Sequence, residues 1–225
     1  MTTNATDLET VLAGVLEEKS LLKHPFYRAW TQGTLPKERL RDYARQYFHF
    51  EAAFPRFLSA LHSRVEDTGV RQLILANLWD EEYGARNHRA LWLEFAEALG
   101  VPRAEVEASA PNEQTAALVA HFDTMCRERA PGDALATLYA YEGQVPAVAR
   151  QKIAGLKAFY GLTPEEYEFF TVHETADVAH SGAELEAIAA LAADGESVRT
   201  AVSVAADRLL AFLDGCYGDL ECADG

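Results

Sequence analysis

Cysteine is scarce in this chain of 225 residues, which contains only Cys126, Cys216 and Cys222. Their odd number and unpaired spacing argue against a disulfide framework of the kind that holds small secreted domains together. We therefore expect a protein of a reducing compartment, most simply the cytoplasm.

Basic residues are also few. Lysine and arginine number 20 against 35 acidic residues, and the formal net charge is -15. Nucleic acids and anionic membrane surfaces both select basic patches, so neither is expected as a partner. Small molecules or other proteins fit this charge better.

Long apolar stretches are missing as well. No run approaches the roughly 18 consecutive apolar residues of a membrane span. The first residues, from Met1 to Asp7, are polar. We expect neither a signal peptide nor a membrane anchor.

Alternation of apolar and polar residues with a period of two, which is typical of a half-buried strand, occurs nowhere in the chain. Apolar residues instead recur every three or four positions, and glycine, proline and acidic turns separate the periodic stretches. The pattern predicts an all-α protein with seven or eight helices in one bundle. Residues 1–225 are expected to form one domain that ends in a short, flexible, acidic tail.

Three of the predicted helices are long and cover about residues 36–61, 70–99 and 133–160. Pro55 should bend the first, because its ring clashes with a carbonyl group of the preceding turn. Gly84 should weaken the middle of the second.

One segment, His173-Glu-Thr-Ala-Asp177-Val-Ala-His180, carries half of a candidate metal site. On a helix, residues at i, i+4 and i+7 share a face, so two imidazoles and a carboxylate point the same way. Iron, manganese and zinc all take such mixed nitrogen and oxygen ligands.

The remaining ligands are predicted on two other helices. Glu81 and His88 lie seven residues apart, which on one continuous helix puts them on the same face with a drift of about 20°. Glu142 follows a run poor in charge, where a lone carboxylate is costly unless it is paired or binds a cation. Pro146 should disturb the helix near that residue. Three imidazoles and three carboxylates exceed the needs of one catalytic zinc and suit two first-row ions in a helix bundle.

Each of these features has an ordinary explanation when taken alone. A glutamate and a histidine seven apart usually mark a solvated helix face, and an aspartate four residues from a histidine often only orients its ring. Glu142 could pair with Arg150 or Lys152. The coincidence of such residues on three helices favours a metal site.

The order of these residues resembles that of the haem-oxygenase-like dimetal oxidases. It is more similar still to the CADD family, named after the chlamydial protein associating with death domains, and its bacterial relatives. The similarity extends over nearly the whole chain. Its main segments are His24-Pro-Phe-Tyr27-Arg-Ala-Trp30, Asp80-Glu-Glu-x-Gly-x-x-Asn-His88-x-x-Leu-Trp92, Tyr141-Glu142-x-Gln-x-Pro146 and His173-x-x-x-Asp177-x-x-His180.

The resemblance implies a seven-helix bundle of the haem-oxygenase-like type, a fold shared with thiaminase II and pyrroloquinoline-quinone synthase. It also implies two transition-metal ions, iron with iron or manganese with iron, that activate O2 with electrons from an external reductant. The oligomeric state stays open, with a homodimer as one option. The metal ligands implied are Glu81, His88, Glu142, His173, Asp177 and His180.

The CADD resemblance further implies an unusual reaction, in which para-aminobenzoate for folate synthesis is made from the protein's own side chains, once per molecule. Tyr27 would correspond to the tyrosine that supplies the ring. Lys152 would correspond to the lysine that supplies the amino nitrogen. Tyr43 and Tyr141 match tyrosines near the metal centre that relay electrons or radicals.

Lys152 presents a geometric difficulty, because ten residues of straight helix place it about 15 Å from Glu142 along the axis. The interruption predicted at residues 143–146, or a metal pair lying further along that helix, would have to close this distance.

Other functions remain open. A dimetal oxidase of the same fold could act on a separate amine, amino acid or fatty acid, with Tyr27 only lining its pocket. A metal-free enzyme similar to thiaminase II or pyrroloquinoline-quinone synthase is another option. Thiaminase needs a cysteine nucleophile in the pocket, and we expect Cys126 near a helix end and the other two cysteines in the tail. The chain could also be a binding protein without enzymatic activity, and in that case it would take up no stoichiometric metal.

Overall fold

The computed structural model describes residues 5–191 and 193–218, apart from the side chains of residues 5–7, 175, 176 and 178. The regular structure in this part of the chain is helical throughout, which confirms the all-α prediction. A 3-10 turn covers Leu21–Lys23, and a π-helical turn covers Leu156–Tyr160. The α-helices are α1 (Ala5–Glu18), α2 (Pro25–Gln32), α3 (Lys37–Glu51), α4 (Phe54–His62), α5 (Thr68–Glu82), α6 (His88–Ala98), α7 (Arg103–Ala108), α8 (Glu113–Glu128), α9 (Pro131–Glu142), α10 (Val145–Gly155), α11 (Glu168–Ala190) and α12 (Gly195–Tyr217).

Helix α9 lies at the centre of the bundle. All of its residues from Gly132 to Glu142 except Asp133 are buried, because α8, α11 and α12 pack around it. A helix that is apolar on all sides is typical of such a central position. Glu142, its last residue, is therefore brought into the interior.

Helix α2 begins at a proline and is capped by a histidine. Pro25 occupies its first turn, where the missing N–H group would have no helical partner, and the His24 ring accepts a hydrogen bond from the N–H of Phe26 at 3.1 Å. The other ring nitrogen of His24 lies 2.9 Å from the Asp214 carboxylate on α12. These contacts hold Tyr27 in the core, where only 5% of it is exposed.

Two of the predicted long helices are interrupted at proline. Residues 52 and 53 separate α3 from α4, and Pro55 lies in the first turn of α4 rather than at a bend. Residues 143 and 144 separate α9 from α10, and Pro146 lies in the first turn of α10. Both breaks follow from the hydrogen bond that proline cannot donate.

The predicted helix over 70–99 is wrong as one element. Gly84, with φ of 89°, lies between α5 and α6, and the Asn87 side chain caps α6 by accepting a hydrogen bond from the N–H of Ala90 at 3.0 Å. Glu81 is thus near the end of one helix, and His88 begins the next. The shared helical face that the sequence suggested for this pair does not exist.

The apolar core runs as one cluster from α1 to α12 and is rich in aromatic rings. None of the described helices has the length and apolar character that crossing a membrane requires. Cys222 and the predicted acidic tail lie beyond residue 218 and so outside the described residues.

Candidate metal centre and aromatic chamber

The first of two buried clusters joins three helices. Glu51 at the end of α3, His88 at the start of α6 and His173 on α11 place one ligand atom each within 4.8 Å of one another. The Nδ1–H group of His173 donates to the carbonyl of Phe169 at 2.7 Å, which leaves Nε2 with a free lone pair. Burial beside His88 lowers the pKa of His173 well below its usual range, so the ring is neutral, as a metal ligand must be.

Glu81 adjoins this first cluster. Its Oε2 lies 3.0 Å from Nδ1 of His88, although that nitrogen makes no hydrogen bond of acceptable geometry to any described residue. The two predicted ligands therefore meet, but through the turn between α5 and α6. Two close ligand atoms without a hydrogen bond between them suit a shared cation.

The second cluster contains the other three predicted ligands. Glu142, Asp177 and His180 also place their ligand atoms within 4.8 Å of one another. Nδ1 of His180 lies 3.5 Å from Asp177 and 3.8 Å from Glu142, while Nε2 donates to the Asp80 carboxylate at 3.1 Å. A carboxylate on the far side of an imidazole is the usual support of a metal-binding histidine.

Unpartnered buried atoms test whether these residues fit a metal. One oxygen of Glu51, one oxygen of Asp177, and Nδ1 of both His88 and His180 have no hydrogen-bond partner among the described residues. Burial, reinforced by neighbouring acids, raises the pKa of Glu51 and Glu81 well above the usual range. Cations would compensate this concentration of buried acids, and nitrogen with oxygen donors is a set that iron and manganese accept.

Sequence reasoning missed three acids around these clusters. Glu184 continues the stripe of His180 by four residues, lies buried against Glu142 and could have been found by extending that spacing. The sequence gives less indication that Asp80 and Glu51 lie beside the clusters. Glu51 ends an aromatic helix, and only the packing of α3 against α6 shows that it faces the centre.

A chamber of aromatic rings adjoins the first cluster and encloses Lys152. Its side-chain nitrogen lies 4.9 to 5.7 Å from five ring centroids and 2.7 Å from the Tyr43 hydroxyl, to which it donates. The remaining cavity has a volume of about 30 Å³. The five rings are Tyr27, Trp30, Tyr43, Tyr47 and Phe170.

Lys152 reaches this chamber because α10 does not continue α9. Gly155 lets α10 approach α2 closely, since a Cβ at that position would lie 2.6 Å from Cδ1 of Trp30. The indole N–H of Trp30 donates to the carbonyl of Lys152 at 3.2 Å. Lys152 and His173 line the same cavity, so the axial distance calculated for a straight helix does not apply.

The tyrosines form a continuous series. The Tyr141 hydroxyl hydrogen-bonds that of Tyr47, whose ring stacks on Tyr43 at 5.5 Å between centroids. The hydroxyls of Tyr43 and Tyr27 lie 3.4 Å apart. Tyr141 precedes Glu142 in the chain, so the series begins beside the second cluster and ends at Tyr27. Tyr47, which the sequence did not single out, is the link between the predicted members.

Burial lowers the pKa of Lys152 from 10.5 to about 7, against the opposing charges of Glu51 and Cys216. At a pH between these two pKa values, Lys152 is protonated in the unfolded chain and neutral in the folded chain. Its contribution therefore makes the free energy of unfolding rise with pH. Lys152→Met should therefore raise the melting temperature most at pH 6, and the gain should shrink towards pH 10. Calorimetry across this range measures it, with the exposed Lys157→Met as control. If Lys152→Met raised the melting temperature equally at pH 6 and pH 10, Lys152 would not be a neutral buried amine.

The two cysteines that the structure describes, Cys126 and Cys216, do not provide a nucleophile for a thiaminase-like reaction. The expectation that Cys216 lies in a tail is wrong, because it is buried in the last turn of α12. Burial raises the pKa of the Cys126 thiol to about 12 and that of Cys216 further, so both stay protonated at neutral pH. Neither lines the aromatic cavity.

Comparison with known proteins adds to this geometry. Residues 41–213 match the model of a family described as iron-containing redox enzymes. A protein of Chlamydia muridarum named 4-aminobenzoate synthase is 42% identical over 213 residues, which cover 94% of this chain and 90% of the relative. A protein of the same name from Nitrosomonas europaea is 44% identical over 216 residues, covering 90% and 88%. A TenA homolog from Pseudomonas syringae superimposes with a TM-score of 0.82, 18% identity and 96% coverage of both chains, a likeness of fold alone.

Proposed function

This chain belongs to the family of iron-containing redox enzymes, and we propose that it is a 4-aminobenzoate synthase that builds the product from its own Tyr27 and Lys152. The similarity to the two synthases, over nine tenths of the chain, supports the product. The arrangement of the aromatic chamber supports Tyr27 and Lys152 as the source of the product's atoms.

The position of Lys152 carries the proposal. Its amino nitrogen lies 5.2 Å from the centroid of the Tyr27 ring. That nitrogen and the Tyr27 hydroxyl both contact the Tyr43 hydroxyl, at 2.7 and 3.4 Å. The amine is thus at the hydroxyl end of Tyr27.

Such a placement matches the product. 4-Aminobenzoate has a carboxyl group and an amino group at opposite ends of one ring, and tyrosine has Cβ and a hydroxyl at those ends. Cβ would become the carboxyl carbon after the Cα–Cβ bond breaks, with its oxygen atoms supplied by O2. The Lys152 nitrogen would replace the hydroxyl oxygen, which leaves as water, and the Cε–Nζ bond of Lys152 would break with oxidation of Cε by the same oxidant. Because the pKa of Lys152 is about 7, much of this amine is neutral near pH 7 and can form a bond to carbon.

Two transition-metal ions, iron with iron or manganese with iron, would supply the O2 activation that this oxidation requires, with electrons from an external reductant. In this proposal one ion is held by His88, His173 and Glu51. Glu142, Asp177 and His180 hold the other, and Glu81 contributes beside His88. The unpartnered atoms of these residues support the assignment.

Tyr141, Tyr47 and Tyr43 would connect the centre with Tyr27. A hydrogen atom can pass between the hydroxyls of Tyr141 and Tyr47, because they are in direct contact. The stacked rings of Tyr47 and Tyr43 allow electron transfer. The Lys152 nitrogen lies 2.7 Å from the Tyr43 hydroxyl, so a neutral amine with its lone pair turned to that hydroxyl would accept the proton that Tyr43 releases. Burial keeps all these hydroxyls protonated until they are oxidised, since it raises their pKa values.

The small chamber disfavours a separate substrate. A cavity of about 30 Å³ holds roughly two water-sized molecules, and a ring-sized substrate would have to displace buried side chains. Five rings already surround Lys152, and Tyr27 is the one proposed as the source of the product ring.

Isotope labelling tests the proposal directly. The protein is made with ring-labelled tyrosine, loaded with iron or with iron and manganese, reduced, and exposed to air without any added aromatic compound. Labelled 4-aminobenzoate should appear at no more than one molecule per chain, together with mass changes at Tyr27 and Lys152. Unlabelled product would show that the ring comes from elsewhere.

Tyr47→Phe should lower the yield of 4-aminobenzoate by roughly tenfold or more, since it removes one hydroxyl of the relay but keeps the ring packing. Mass spectrometry of the product measures the yield. Tyr139→Phe is the control, because Tyr139 lies on the same helix as Tyr141 but faces α1. Metal content should not change in either variant, and an undiminished yield in Tyr47→Phe would exclude Tyr47 from the relay.

A further inference from the structure

A second cavity lies between α5 and α11, apart from the aromatic chamber. Its volume is about 220 Å³. Most of its walls consist of carbon atoms, which favour small apolar molecules over water. The apolar lining residues are Leu58, Leu73, Ile74, Ala76, Leu135, Ala179, Ala183 and Ala187.

The inner end of this cavity touches the second metal cluster. His180 and Glu184 line it, as does Asn77, whose amide donates to both oxygens of Glu142 at 2.9 and 3.1 Å. Glu184 is 5% exposed, and neither of its oxygens has a hydrogen-bond partner among the described residues. The cavity therefore ends at groups that belong to, or directly contact, the candidate ligands.

The outer end is lined by small residues. Ala76 on α5 and Ala179 on α11 are exposed, Ala183 is half-buried, and Asp80 lies exposed beside them. Alanine leaves an opening that a larger side chain would fill. The cavity thus runs from solvent between two helices to the candidate centre.

Two other cavities near the centre differ in character. The aromatic chamber is much smaller, at about 30 Å³, and is occupied by the rings that surround Lys152. A pocket beside Glu51 and Glu81, of about 360 Å³, is lined by charged groups that include Arg56 and Arg89. Charged walls hold water and ions and offer no preference for an apolar gas.

We propose that the cavity between α5 and α11 binds O2 and is its route to the metal centre. The inference rests on the proposed function, since it presumes that the centre consumes O2. O2 would arrive beside Glu142 and His180, about 10 Å along α11 from the His173 end where the aromatic chamber lies. Separate approaches keep the space around Tyr27 closed to water while the oxidant enters.

Xenon identifies the cavity independently of product formation. Xenon occupies apolar cavities of this kind, so crystals of the metal-loaded protein under xenon pressure should show it between α5 and α11. Ala183→Phe should abolish that density, because the ring fills the passage. Ala76→Leu, on the opposite wall, narrows the opening with a smaller perturbation of packing.

Stopped-flow measurement then tests the route. Reduced, metal-loaded protein is mixed with O2, and the second-order rate constant should fall by roughly tenfold in Ala183→Phe and less in Ala76→Leu. Ala190→Phe, at an exposed position of α11 outside the cavity, should react as the wild type does. Metal content is measured in each variant so that only chains with a complete centre are compared.

Absence of xenon from this cavity, or xenon binding with unchanged O2 rate constants, overturns the proposal. Neither measurement depends on what the protein makes. If 4-aminobenzoate is not the product, the xenon and O2 measurements still test the route. If the route is wrong, the product assay still tests the proposed function.

Discussion

Tyr27→Phe is expected to form no 4-aminobenzoate while it retains its metal. Phenylalanine keeps the ring between Trp30 and Phe26 but lacks the hydroxyl beside Tyr43, which is where oxidation and amination would begin. We expect a loss of at least about 100-fold, because the other two tyrosine rings near Lys152, those of Tyr43 and Tyr47, serve as the relay in this proposal and are not the source of the product ring. Product mass spectrometry and metal analysis on the same samples provide the measurement.

Tyr160→Phe is the matched control for this change. Tyr160 packs on Trp30 at 6.4 Å, but its hydroxyl donates to the carbonyl of Leu35, outside the series of tyrosines. It should give wild-type yield. Undiminished product from Tyr27→Phe would mean that the ring has another origin, and an oxidase that acts on a separate substrate would become the better proposal.

His88→Gln and His180→Gln are each expected to lower the bound metal from about two ions per chain to about one, and to abolish product formation. The reason is that the two imidazoles lie in different clusters, so each change removes a nitrogen donor from only one of them. Metal analysis after anaerobic loading with iron or manganese gives the stoichiometry.

His121→Gln is the control for the metal experiment. The Nε2 atom of His121 is buried and lacks a hydrogen-bond partner among the described residues, as the Nδ1 atoms of His88 and His180 do, but it belongs to neither cluster. It should keep both ions. If His88→Gln and His180→Gln also kept two ions each, the clusters would not be the metal centre.

The part of the site that lies on one helix was predictable from sequence. His173, Asp177 and His180 share a face of α11 because helical periodicity fixes side-chain directions over two turns. The break after Glu142 was predictable for a similar reason, since proline acts on its own turn. Local rules determine both features.

Glu81 and His88 show a limit of such reasoning. They do come together, but the turn containing Gly84 and the cap at Asn87 bring them there, not a continuous helix. A spacing of seven residues is compatible with both geometries. The two side chains do approach each other, at 3.0 Å, but the single helix on which the prediction rested is wrong.

Three contacts between distant helices could not be predicted from residue spacing. Glu51 reaches His88 only through the packing of α3 against α6, and Tyr47 joins Tyr141 to Tyr43 only through the rotation of α3 in the bundle. The meeting of Lys152 with Tyr27 depends on the new direction that α10 takes after the break. Tertiary packing decides these arrangements, and one sequence does not record it.

The deep burial of Tyr27 has a consequence for a molecule that has reacted. Should its side chain leave, a hole the size of a ring would open among Phe26, Trp30 and Tyr43. Truncation of a buried aromatic residue to a small one typically removes about 3–5 kcal/mol of folding free energy, a large share of what a domain possesses. A molecule that has reacted would unfold more often and be degraded sooner than one that has not, so the reaction itself would shorten the lifetime of the protein.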